Sequence, residues 1–309
     1  MELEFVAWLI ERFGKTPRGP LRVGIGDDAA VLEIEPDQEL VVTTDMLMEG
    51  VHFDSSQQPL ALIGRKAVAV GLSDLAAMAA RPLAAFVSLA LPAESAERTA
   101  PCLIEAMADI AQQFDCVLAG GDTNCWSQPL VIDVCLVGCC PQGTAWLRRG
   151  ARPGDQLVVT GSLGGSLLGK HLSFEPRVRQ ALYLRQHYCV HAACDLSDGL
   201  ALDLRRLCKA SGCGALLQAE AIPVSEAAHQ AARSSGRTPL EHALGDGEDF
   251  ELLLALPPQE AQRLCEDDRI GVAVSVVGTC TEDLQVRWQW KDGRCEPLPQ
   301  LGYCHGDRS

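Results

Sequence analysis

The sequence predicts a mixed α and β fold in one or two domains, on three observations. Apolar runs of strand length alternate with longer stretches of helical periodicity. The 309 residues suffice for one large domain or two ordinary ones, each with its own core. A segment rich in Gly, Pro and charge, RRGARPGDQ at 148–156, interrupts two apolar strands near the middle. It divides the chain into halves of 1–147 and 148–309.

Taken in order, MELEFVAWLIERFG places Phe5, Trp8, Leu9 and Phe13 at amphipathic spacing and predicts a helix over 2–13. Val41-Val42-Thr43-Thr44 is a β-branched run and predicts a strand over 40–44. A long apolar-periodic stretch predicts a helix over 59–80, followed by a strand at 84–91, a helix at 96–113, and strands at 116–119 and 130–137. After the boundary the pattern predicts strands at 156–160, 214–219, 250–256 and 270–277. Helices are predicted at 165–172, 176–186, 200–211, 225–233 and 258–266. GLSDLAAMAA from 71 and CDLSDGLALDL from 194 echo one another, one in each half.

A net charge of -15, with no run of Lys and Arg, excludes a basic face for nucleic acid or anionic lipid. The acidic N-terminus lacks the basic region of a signal peptide, and no run of 18 apolar residues occurs, so the expected compartment is the cytoplasm and no membrane span is expected. Of the 14 cysteines, none forms a C-x-x-C pair. They are read as reduced, buried thiols acting as small hydrophobes, with zinc as the alternative.

TGSLGGSLLGKH at 160–171 fits most of a P-loop from Gly164, with Gly169 and Lys170 in place. His171 stands where a hydroxyl must ligate magnesium, and Ser166-Leu167-Leu168 already reads as helix, so the stretch is assigned to a strand-turn-helix junction.

The acids carry more information. They occur in GIGDDAAV (Asp27, Asp28), VVTTDMLMEGVHF (Asp45), GLSDLAAM (Asp74), LAGGDTN (Asp122), CDLSDGL (Asp195, Asp198) and GDGEDFELL (Asp246, Glu248, Asp249), each between apolar or Gly-rich runs. Taken singly, Ser73-Asp74 and Ser197-Asp198 read as helix N-caps, and Asp122 as a turn residue. Taken together they exceed what capping needs. Carboxylates beside the hydroxyls of Thr43 and Thr44 are hard oxygen ligands suited to magnesium, which binds through one or two carboxylates plus substrate phosphates.

In order and spacing, GIGDDAAV, TTDMLMEGVHF, LSDLAAM, GGDTN, LRRGARPGDQLVVTG, DLSDGL and GEDFELL resemble the thiamine-monophosphate kinase family. That family belongs to the superfamily of aminoimidazole ribonucleotide synthetase and selenophosphate synthetase. The resemblance implies an α+β fold of two domains. The N-terminal mixed-sheet domain, 1–147, would bind ATP and magnesium and pair across a two-fold homodimer. A C-terminal α/β sandwich, 148–309, would complete the nucleotide and substrate site. The implied reaction is transfer of the ATP γ-phosphoryl group to thiamine monophosphate, directly and in line, with several Mg2+ ions and ATP as co-substrate.

By the same resemblance Asp28, Thr43, Thr44, Asp45, Asp74, Asp122, Asp195 and Asp198 form the magnesium shell. Gly121, Asp122, Arg148 and Ser197 lie against the nucleotide, and Asp45, Asp122 and Arg148 take part in catalysis. His52, Glu248 and Tyr303 contact thiamine monophosphate. The chain departs from the family's usual Gly-Gly-Glu-Asp by carrying Asp246. The alternatives are a sister ATP-dependent synthetase, or a sensor of thiamine phosphate or nucleotide that retains the fold.

Overall fold

Two large sheets organise the chain, each in its own unit. We describe a computed structural model that covers residues 2–13, 19–23, 25 and 30–303. The chain divides into one compact unit reaching Leu75 and resuming over Ala80–Gly143, and another made of Ala76–Ala79 and the residues from Thr144 onward.

The first unit contains α1 (Glu2–Phe13), β1 (Leu21–Val23), β2 (Val31–Leu32), β3 (Gln38–Met48), most of α2 (Leu60–Ala77), β4 (Arg81–Pro92), α3 (Ala96–Gln113), β5 (Val117–Trp126) and β6 (Val131–Pro141). Its main sheet runs β3-β6-β4-β5, with β4 and β5 parallel and joined through α3, and the other pairs antiparallel. Glycines let the helices settle closely. A Cβ on Gly64 of α2 would lie 2.6 Å from the Leu103 carbonyl of α3, and one on Gly71 would lie 2.8 Å from Leu136 of β6. Leu136 is the cross-strand partner of Thr43. One turn beyond Gly71, on the same helix face, comes Asp74, so the packing of Gly71 delivers that acid to β3.

The second unit contains β7 (Gln156–Thr160), α4 (Lys170–Ser173), α5 (Val178–His187), β8 (Ala192–Asp195), α6 (Leu200–Ser211), β9 (Gly214–Gln218), α7 (Glu226–Ser235), α8 (Pro239–Gly245), β10 (Leu252–Leu256), α9 (Pro258–Cys265), β11 (Val274–Thr281), β12 (Val286–Gln289) and β13 (Cys295–Pro297). Its seven strands run β13-β12-β9-β11-β7-β10-β8, with β12 and β9 parallel and the rest antiparallel. The core lies between this sheet and α6, around Leu204, Leu207, Leu217, Leu253 and Val277. Thr238 and Glu241 close a capping box on α8, with Pro239 in its first turn.

The two-domain mixed α and β fold is as expected, with local differences. The helix expected at 165–172 is a 3-10 turn, Ser166–Leu168, then a single α turn, separated by Gly169 at φ 135°. The strand expected from 250 begins at Leu252, because Phe250 adopts φ 51°. The sequence pattern missed β1, β2, β8, β12, β13 and α8, all short.

Candidate active site

In the first unit β3 alternates its side chains. Thr43, Asp45 and Leu47 pair with the buried Leu136, Val134 and Ile132, so they share the helix-covered face. Thr43 Oγ1 donates to Asp74 Oδ2 at 2.5 Å, and Thr44 Oγ1 donates to Asp133 Oδ1 at 3.2 Å. Asp45 Oδ2 is buried and has no hydrogen-bond partner among the described residues. Burial, then the charges of Asp74 and Asp133, push the Asp45 carboxyl up to about 7. The Asp74 carboxylate on the same face, the charge of Asp133 on the opposite face and the orphaned oxygen fit a hard divalent cation, which would offset these charges and take that oxygen as a ligand. Asp133 is a member that sequence reasoning missed; an acid inside the apolar run LVIDVCLV was its signal.

Asp122 stands apart from this cluster. The row Asp45–Val134–Val87–Gly121 crosses the sheet from edge to edge, and Asp122 lies in the next row with Ser88 and Asp133. Three strand spacings separate the edges, about 14 Å. Asp122 is a strand residue, correcting the turn reading, and accepts from Thr123 N–H at 2.8 Å. A Cβ at Gly121 would lie 1.8 Å from the Val87 carbonyl, so only glycine permits that approach. Thr123, Asn124 and Cys125, just beyond, line a cavity of about 530 Å³ with Phe5, Trp8 and Pro101.

His52 lies in the turn after β3. Its Nδ1 accepts from Met48 N–H at 3.0 Å, which leaves Nε2 to carry the proton as a neutral donor. Lys66, 1% exposed in α2, donates from Nζ to the His52 carbonyl at 2.8 Å and fixes the turn.

In the second unit Asp195 ends β8, buried, and Ser197-Asp198 forms the turn into α6. Neither pair expected to cap a helix does so. Ser73-Asp74 sits inside α2, and α6 starts from Gly199 with no side-chain cap. Asp198 instead pairs with Arg206, which also reaches Asp203 at 2.9 Å. Burial raises the Asp203 carboxyl to about 6. Glu248 donates its N–H to the Ser197 carbonyl at 2.6 Å, and Tyr303 donates its N–H to the Asp198 carbonyl at 2.9 Å. One turn thus gathers Ser197, Asp198, Glu248 and Tyr303. Asp246 fits in by accepting from Gly165 N–H at 2.8 Å and Arg237 Nη1 at 3.0 Å. Arg148 is exposed, its carbonyl accepting from Ser211 Oγ at 3.0 Å.

Asp28 lies outside the described residues. Among the described residues, no three His, Cys, Asp or Glu side chains converge as a ready-made metal centre. No disulfide joins the described cysteines. Several are buried as expected, but Cys125, Cys189, Cys265 and Cys295 are exposed, against the small-hydrophobe reading.

The sequence profile of the AIR synthase related protein N-terminal domain matches residues 26–140, and that of its C-terminal domain matches 166–291. Thiamine-monophosphate kinase of Rhodopirellula baltica is 46% identical over 314 residues, covering 99% of this chain and 98% of its own. The crystal structure of thiamine-monophosphate kinase from Stenotrophomonas maltophilia K279a is 31% identical with a TM-score of 0.78, covering 93% of this chain and 95% of that one. AaThiL complexed with AMPPCP and TMP is 26% identical with a TM-score of 0.77, covering 98% of this chain and 96% of that one. With its motifs in family order and this likeness running from end to end, the chain belongs to the thiamine-monophosphate kinase family of AIR synthase related proteins.

Proposed function

We propose that this protein transfers the γ-phosphoryl group of ATP to the phosphate of thiamine monophosphate, yielding thiamine diphosphate and ADP. The observation that carries this is the full-length likeness to thiamine-monophosphate kinases, one of them solved with an ATP analogue and TMP. A terminal oxygen of the acceptor phosphate attacks the γ-phosphorus. The bond from that phosphorus to the β,γ-bridging oxygen breaks, and ADP leaves with its electron pair. The acceptor is an ionised phosphate, so positioning and charge neutralisation matter more than a strong general base.

In the first unit Thr43, Asp45 and Asp74, with Thr44 and Asp133 behind them, would hold Mg2+, and Asp28 and Asp122 would add further oxygen ligands. Magnesium bound there supplies the positive charge that a polyphosphate needs in an acidic protein. Gly121 and Asp122 lie against the nucleotide, and the neighbouring cavity lined by Phe5 and Trp8 takes its base. His52 offers its Nε2–H to the acceptor phosphate. In the second unit the exposed Arg148 presents a guanidinium fork for phosphate oxygens. Ser197 contacts the nucleotide, and Asp195 and Asp198 contribute to cation binding, Asp198 exchanging its Arg206 partner. Glu248 and Tyr303 face the cationic thiamine moiety, the ring of Tyr303 attracting it.

A homodimer is part of this reading. On β3, the edge strand of its sheet, Val42 is 60% and Met46 57% exposed, with Leu40 and Met48 beside them on the face away from α2. A row of apolar side chains in water is suited to a second copy of the same strand. We assign the enzyme to the cytoplasm; among the described residues no disulfide joins the cysteines and no helix is long and apolar enough to cross a membrane.

The test is to supply Mg-ATP with thiamine monophosphate or free thiamine and separate the products chromatographically. Thiamine diphosphate formed from the monophosphate alone supports the reading. Phosphorylation of thiamine alone, or of neither acceptor, contradicts it.

A further inference from the structure

The Gly-rich stretch that fails as a P-loop turns its donors onto the protein's own acids. Gly164 N–H lies 3.0 and 3.1 Å from the two carboxylate oxygens of Asp249, and Gly165 N–H donates to Asp246 Oδ2 at 2.8 Å. Ser166 Oγ donates to the Gly247 carbonyl at 2.6 Å. Lys170 Nζ sits 2.9 Å from Glu251 Oε1 and 3.8 Å from Asp249 Oδ1. Glu251, 1% exposed, also accepts from Thr160 Oγ1 at 2.8 Å and from Arg177 Nε and Nη2, each at 2.7 Å.

The arrangement is the anion-cradling chemistry of a phosphate loop, applied to carboxylates of the same chain. Glycine is required for it. A Cβ on Gly164 would lie 2.5 Å from Ala243 N, and one on Gly165 would lie 2.3 Å from the Ala227 carbonyl carbon. The loop grips its partner motif on both sides of Glu248: Asp246 and Gly247 before it, Asp249 and Glu251 after it. Between those anchors Glu248 and Phe250 both hold φ 51°, a left-handed backbone that residues with a Cβ keep only when their surroundings enforce it.

We propose that the loop ending at Lys170 is a positioning device for the acceptor substrate. Lys170, through Glu251 and beside Asp249, holds the left-handed backbone that presents Glu248 to thiamine monophosphate, and its ammonium is no phosphate ligand. The inference rests on the reading of Glu248 as a substrate contact and adds a residue that acts through it.

The experiment compares Glu248→Gln, Lys170→Met, Lys170→Arg and Thr160→Val for Tm and for separate KM values toward ATP and thiamine monophosphate. Lys170→Met is expected to raise KM for thiamine monophosphate about tenfold, equivalent to about 1.4 kcal/mol, with KM for ATP little changed. Lys170→Arg recovers most of the loss, since it retains the ion pair. Thr160→Val removes one bond to Glu251 and shifts the same KM in the same direction by a smaller factor, so the proposal is still tested if Lys170→Met fails to fold. A rise in KM for ATP equal to or greater than that for the monophosphate overturns the proposal, because Lys170 would then serve the nucleotide. A KM for the monophosphate that Lys170→Met and Thr160→Val leave unchanged, while Glu248→Gln raises it, also overturns it and spares Glu248. No effect of Glu248→Gln removes the reading of Glu248, and the proposal with it.

Discussion

Thr43 on β3 and Asp74 on α2 are joined by a hydrogen bond of 2.5 Å from Oγ1 to Oδ2, linking two sequence motifs that each look unremarkable alone. Thr43→Val removes the donor and keeps the shape. The expected cost is about 1 kcal/mol of stability, with a fall in turnover because Asp74 loses its orientation. Thr43→Ser should restore both. Thermal unfolding and steady-state rates of the two variants check this, and a Thr43→Val enzyme indistinguishable from the parent would contradict it.

Asp45 is crowded by Asp74 and Asp133 and has one oxygen without a hydrogen-bond partner among the described residues. Without divalent cation, Asp45→Asn should therefore raise Tm by about 2–4 °C, the shift that about 1 kcal/mol gives in a domain of this size. Turnover should fall by about 100-fold or more, the loss expected when phosphoryl transfer loses a charge-neutralising site. Unfolding with EDTA present, paired with rates at saturating Mg-ATP, separates the effects. Near-normal turnover would exclude the metal role.

Asp249 is buried, and that burial raises its carboxyl to about 7 despite Lys170 and the Gly164 amide. A carboxyl whose folded pKa lies above its unfolded value holds its proton longer when folded. Its contribution to stability is thus greatest at acid pH and is lost as pH rises from about 4 to about 7. Asp249→Asn cannot titrate, so the Tm of the parent should fall relative to that of the variant between pH 5 and pH 7.5. A gap that stays constant or moves the other way would refute the assignment.

Val42 and Met46 point outward from edge strand β3. A glutamate at either position would bring like charges together across a two-fold axis, so Val42→Glu should shift the protein from dimer to monomer while leaving its circular dichroism unchanged. Light scattering on the two proteins decides this. A parent that is already monomeric would remove the dimer from the account.

The sequence made β3 legible because four β-branched residues precede Asp45, and it made α3 and α6 legible because their apolar periodicity is long. Asp74 and Asp122 were open to misreading because a Ser-Asp pair or a Gly-Gly-Asp run has the same local chemistry in a cap or turn as in a site. Only the fold, through the packing of Gly71 on Leu136 and the bond from Thr43, shows that Asp74 faces β3. Asp133, Lys66 and the Lys170–Glu251 pair were hidden because their partners lie far away in sequence, and pairing of that kind leaves no local signature. β8 and α8 were too short for periodicity to register.

The central claim is direct transfer of the terminal phosphate of ATP to thiamine monophosphate, and ATP labelled in its γ-phosphate tests it most directly. After incubation with magnesium and thiamine monophosphate, all transferred label should be found in thiamine diphosphate, matched one to one by ADP. Label released as inorganic phosphate, with no labelled thiamine diphosphate, would contradict the account.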